Sequence, residues 1–194
     1  MTQGAADSPG RYALADRTAR QRLIARSTWL TVPGTLVVVA AATWCLPAVP
    51  GMEAPAARLA YTLRWLFVAM LPYAAVCLTI LALRFLEGAH NPLLLEESET
   101  LRIHCRVMAN TLEQFVWLSV CLLALATLLA PDRMQLVPVA SCFFVFARLV
   151  YWWGYLRSGT LGRAPGVQLT FTLNILLLVL VAILLMRTGF VPGA

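Results

Sequence analysis

Five long apolar runs, each parted from the next by a few polar or turn-forming residues, dominate this chain. The stretch 65–83 carries no charge over 19 residues, and Val167–Met186 is equally free of charge. An α-helix rises about 1.5 Å per residue, so about 20 apolar residues cross the ~30 Å hydrocarbon layer of a bilayer. No water reaches backbone N–H and C=O groups there, and a helix satisfies them within one segment. Composition agrees: 60% of the residues are hydrophobic and 12% charged. A soluble domain of 194 residues would need more charge to cover its surface. The expected fold class is an all-α integral membrane protein.

The runs predict helices over residues 29–49, 60–86, 100–129, 134–157 and 167–187. Residues 1–27 read as a polar, Arg-rich tail, within which RTARQRLIAR suits a short amphipathic helix. The run at 29–49 is read as an uncleaved membrane helix, because it exceeds the usual ~7–15-residue core of a signal peptide. A cleaved signal is the competing reading. Residues 50–58 form a short loop, so 28–58 make one helix-plus-loop unit. In the polar connection 87–100, the segment Glu96, Glu97, Ser98, Glu99 suits a helix start, where carboxylates complement the dipole. Pro131, Asp132 and Arg133 make a tight turn, and SGTLGRAPG (158–166) reads as a loop.

All 15 basic residues are Arg, which reads as the composition of a GC-rich, bacterial rather than animal, genome. Five of them precede residue 27, and the others are dispersed without aromatic interleaving, so the net charge of +6 is no nucleic-acid signal. An N-inside arrangement puts ten Arg in cytoplasmic segments against Arg58, Arg64, Arg133 and Arg187 outside, as the positive-inside bias requires. The expected location is a bacterial inner membrane, multi-pass, with a cytoplasmic N-terminus. The five Cys form no CxxC or Cys/His cluster, and His90 and His104 stand apart, so no metal site is expected.

Two ionisable residues, Glu113 and Arg148, fall inside apolar runs, where charge is costly and tends to mark a site. Arg106, Asn110 and Glu113 follow at spacings of 4 and 3; Arg148, Tyr151 and Tyr155 at 3 and 4. At about 100° per residue each trio occupies one helix stripe. Two polar stripes on two membrane helices can line a pocket for a polar ligand. A structural alternative pairs Arg148 with Glu113, since buried charges need partners. Trp152 and Trp153 suit an interfacial aromatic belt, Arg102 and Arg157 suit surface charges that set topology, and Asn174 suits a helix–helix contact.

The strings RVMANTLEQF (106–115) and FARLVYWWGYLRSGTLGRAP (146–165) resemble the MAPEG family, the membrane-associated proteins of eicosanoid and glutathione metabolism. The resemblance covers about residues 60–187. It implies an antiparallel four-helix bundle within 59–194, commonly a homotrimer, with the helix at 29–49 as an N-terminal addition. It further implies glutathione as co-substrate and no metal. Arg84, Arg106, Asn110, Glu113, Arg148, Tyr151 and Tyr155 would bind glutathione near the cytoplasmic face, and Arg163 would stabilise its thiolate, with Arg157 as the fallback. The other partners implied are membrane lipids and a lipophilic small molecule, not nucleic acid.

The chemistry suits those roles. Glutathione has two carboxylates and an ammonium; Arg pairs the former and Glu the latter. A fixed cation lowers a thiol pKa from about 8.5 and raises the thiolate fraction. The expected activity is conjugation of glutathione to lipophilic electrophiles, or reduction of hydroperoxides. The alternative is a non-catalytic lipid-binding or scaffold relative.

Overall fold

The computed structural model describes residues 9–88 and 97–189. They form five α-helices: α1 (Pro9–Cys45), α2 (Pro55–Glu87), α3 (Glu99–Leu128), α4 (Leu136–Gly162) and α5 (Ala164–Thr188). All five contain a span long and apolar enough to cross a membrane, α1 through Ile24–Cys45. His90 and Glu96 lie outside the described residues.

The local signals explain most of the boundaries. Ser98 caps α3: its Oγ accepts from the Leu101 N–H at 3.1 Å and donates to the Glu87 carboxylate at 2.8 Å. Pro131–Arg133 form a 3-10 turn between α3 and α4. Two boundaries differ from expectation. Backbone helix extends through residues 9–27, because this stretch is rich in Ala and Arg and has no Pro inside it after Pro9 and no Gly after Gly10. The segment 158–166 is not an open loop: only Ser158 (φ −141°, ψ 20°) and Gly159 (φ 56°, ψ −135°) leave helical geometry before helix resumes. Gly159 occupies a positive φ that a side chain rarely adopts.

Short connections turn α2–α5 back on one another. The Arg58 guanidinium near the start of α2 donates to the Leu129 carbonyl just beyond α3, at 3.1 Å, which sets α2 and α3 antiparallel. The core that α2–α5 share includes Leu118, Leu122, Leu125, Phe144, Leu173 and Leu177, all out of contact with the surroundings. Helix α1 lies outside this bundle against α4 and α5 and adds Val39 to the core. Asn174 of α5 donates its amide to the carbonyl and the side-chain oxygen of Gln114 on α3, at 3.1 and 3.0 Å. That contact is a membrane-buried hydrogen bond between helices, as expected of Asn174.

Candidate functional site

The polar side chains singled out in the sequence gather at one end of the bundle, where α2 and α4 finish and α3 and α5 begin. Arg148 is the largest fully buried side chain, 1% exposed. Its Nη2 donates to Asn110 Oδ1 and to Thr111 Oγ1, both at 3.0 Å. Its guanidinium carbon lies 4.1 Å from the centre of the Tyr151 ring. This arrangement satisfies one face of a charge that has been taken out of water. Nε and Nη1 of Arg148 have no hydrogen-bond partner among the described residues.

From Arg148 a continuous line of groups leads to the end of the bundle. Tyr151 meets Tyr155 edge to face, ring centres 5.9 Å apart. Arg163, from the α4–α5 junction, lies over the other ring of the pair, 5.0 Å from the centre of Tyr155. The break at Ser158–Gly159 turns the chain back so that Arg163 can reach a ring two helical turns earlier. Close approach makes this possible: a methyl at Gly162 would overlap the Gly154 carbonyl, and one at Gly166 would overlap the Tyr151 backbone.

Tyr155 also lines a cavity of about 340 Å³, together with Glu99, Arg102, Ile103, Arg106 and Gly159. Two guanidinium groups and a carboxylate around one volume suit a ligand that carries carboxylates and an ammonium. Arg84 stands at the neighbouring corner, half-buried, and pairs with Glu97 at 2.9 Å.

The structure thus brings together Arg148, Tyr151 and Tyr155, joins Asn110 to them, and places Arg163 and Arg106 at the same end. It does not pair Arg148 with Glu113. Thr111, Gln114 and Leu118 form the buried stripe of α3, and Glu113 is turned roughly 100° from Gln114 onto an exposed face with Leu112 and Val116. Thr111 takes the place expected of the carboxylate. Arg102, expected as a plain surface charge, shares the cavity with Arg106. Thr111 was legible as a polar residue in step with Val107, Gln114 and Leu118 at spacings of 4, 3 and 4; the outward position of Glu113 left no such trace.

A continuous match to the model of the MAPEG family covers residues 54–183. The chain belongs to the MAPEG family. The matched region holds nearly all of α2–α5 and every site residue described above, whereas α1 precedes it. As a MAPEG member with five apolar spans, the protein is a multi-pass integral membrane protein of a glutathione-related family. No curated protein and no solved structure matches the chain significantly.

Proposed function

We propose that this MAPEG protein is a glutathione-dependent membrane enzyme that joins glutathione to lipophilic electrophiles drawn from the bilayer, or reduces lipophilic hydroperoxides. The observation that carries the reading is the position of Tyr155. Its ring lies under Arg163 and also forms a wall of the cavity bearing Arg102 and Arg106. A tripeptide held by its carboxylates on Arg102 and Arg106 can therefore present its thiol to Arg163. Asn110 and the Tyr hydroxyls supply neutral hydrogen bonds, and Arg84 a further cation.

The Arg163 guanidinium offers a fixed positive charge to the thiolate. In conjugation the thiolate sulfur forms a bond to an electrophilic carbon, and the departing or ring-opened group takes the electron pair and then a proton. In hydroperoxide reduction the sulfur attacks the distal oxygen and an alkoxide leaves; a second glutathione then displaces hydroxide from the sulfenic acid to form the disulfide. Neither route requires a metal ligand from the chain.

The reading includes a homotrimer. Glu113 lies halfway along α3 and is exposed on the isolated bundle, as is Arg106. Charge facing lipid at that depth is costly. A neighbouring subunit covering this face would shelter Glu113 and complete the site. The Arg distribution supports an inner-membrane protein with the N-terminus, and the site, on the cytoplasmic side.

The deciding experiment is the ultraviolet absorbance of the glutathione thiolate, at roughly 240 nm, on titration into the detergent-solubilised protein at neutral pH. A saturable rise, lost in Arg163→Ala with binding retained by calorimetry, is the expected result. Absence of both absorbance and binding overturns the enzyme reading in favour of a lipid-binding or scaffold relative. Loss of binding in Arg163→Ala makes Arg163 a carboxylate clamp instead.

A further inference from the structure

Among the described residues of α5, Gln168 is the one side chain that hydrogen-bonds to α1. Its Oε1 lies 2.9 Å from Ser27 Oγ and 2.8 Å from Thr31 Oγ1. Its Nε2 donates to the Ile24 carbonyl at 3.0 Å and to Thr28 Oγ1 at 2.8 Å. The Ile24 carbonyl is acceptor only, so it fixes which end of the amide is nitrogen. Ser27 and Thr31 also reach carbonyls of their own helix, at 2.8 and 2.9 Å, so each hydroxyl hydrogen is shared between two acceptors. An amide with all its bonding positions served, in an apolar span, holds two helices in one register.

Gln168 follows the α4–α5 junction by barely more than a turn. The Arg163 carbonyl accepts from the Val167 N–H at 3.1 Å, and its N–H donates to Gly159 at 3.2 Å. The chain between α4 proper and α5 is broken at Ser158–Gly159, and Arg163 is the N-cap residue of α5, its carbonyl bonded into the first turn. Those turns rest on Tyr151 through Gly166 on one side and on α1 through Gln168 on another.

We infer that α1, which lies before the family match, is a brace for the α4–α5 turn, and that Gln168 is a positioning residue that sets where Arg163 stands over Tyr155. The added helix is then a control point: displacement of α1 loosens the cation that faces the thiol without touching the cavity that holds the rest of the ligand. The role in thiolate formation rests on the glutathione reading above; the bracing itself does not.

The test uses the full chain in detergent, as wild type, Gln168→Leu, and a Ser27→Ala/Thr31→Val pair that alters α1 alone. Hydrogen–deuterium exchange over 159–168 reads the brace directly. The pH midpoint of glutathione thiolate absorbance reads its consequence. Both variants should exchange faster in that segment, with the rest of α4 and α5 unchanged. Both should raise the thiolate midpoint by roughly one unit, a roughly tenfold smaller ionisation constant of the bound thiol, while glutathione affinity changes less than about threefold. Unchanged exchange in both variants overturns the brace. Faster exchange with an unmoved midpoint overturns the positioning role. If the wild type binds no glutathione, the enzyme reading fails and the exchange result alone decides the brace.

Discussion

At the scale of single residues, the economy of the site lies in how Arg148 is neutralised. A guanidinium within a membrane helix ordinarily invites a carboxylate, yet its hydrogen-bond partners here are Asn110 and Thr111, with the Tyr151 ring beneath it. Neutral partners leave the net positive charge in place, whereas a Glu would have cancelled it. Thr111→Val should therefore destabilise the protein by about 1–3 kcal/mol, because a buried donor of Arg148 is left unpaired. Glu113→Gln should not destabilise the separated subunit, because a carboxylate on that apolar-facing surface is itself costly. Thermal unfolding in detergent at matched lipid content separates the two, and a larger effect at Glu113 than at Thr111 would refute this ordering. The sequence pointed correctly to Arg148, Tyr151 and Tyr155 as one stripe. It misjudged the partner, since spacing reveals that residues share a stripe but not which stripe turns inward.

At the scale of elements, the critical joint is α4–α5. Gly166 lets α5 lie directly against the backbone at Tyr151. Gly166→Ala should push α5 off α4, move Arg163 from the Tyr155 ring and destabilise the bundle by about 1–3 kcal/mol, as overpacking does. Ala at Gly34 of α1, where no atom lies within 4 Å, should be neutral or slightly stabilising by comparison. Thermal midpoints of the two variants check the contrast, and equal midpoints would sink the close-packing account. The Gln114–Asn174 bond sits deeper, between α3 and α5. Asn174→Leu should cost about 0.6–1.7 kcal/mol, from the average to the maximum measured for such bonds in membranes. The existence and number of the elements were legible from hydropathy. Their ends at 9–27 and 158–166 were not: polar residues 9–27 continue a helix because nothing interrupts it, and after the two-residue break at Ser158–Gly159 helical geometry resumes where a loop was expected.

On the scale of the whole molecule, the exposed face of α3 is the feature that asks for company. Arg106, Leu112, Glu113 and Val116 lie on it, and Glu113 places a carboxylate midway along the span. Native mass spectrometry from mild detergent should report a trimer, and Glu113→Arg should lower its proportion by placing a second cation beside Arg106 on the covered face. A strictly monomeric wild type would mean that Glu113 meets lipid, and the subunit-shared site would have to be abandoned.

What the sequence determined by itself is the solvent this chain folds in, the number of helices and their family. Those follow from hydropathy over some 20 residues and from side-chain spacing along single helices, and both are local properties. What the tertiary structure decided is the rotation of each helix about its axis. That rotation put Thr111 rather than Glu113 against Arg148, stacked Arg163 on Tyr155, and closed Gln168 on α1. It depends on the neighbours each helix packs against, and a helix of repeating apolar residues offers several faces of nearly equal hydrophobicity. The choice between them is made by a few polar contacts across residues as far apart in the chain as Ile24 and Gln168.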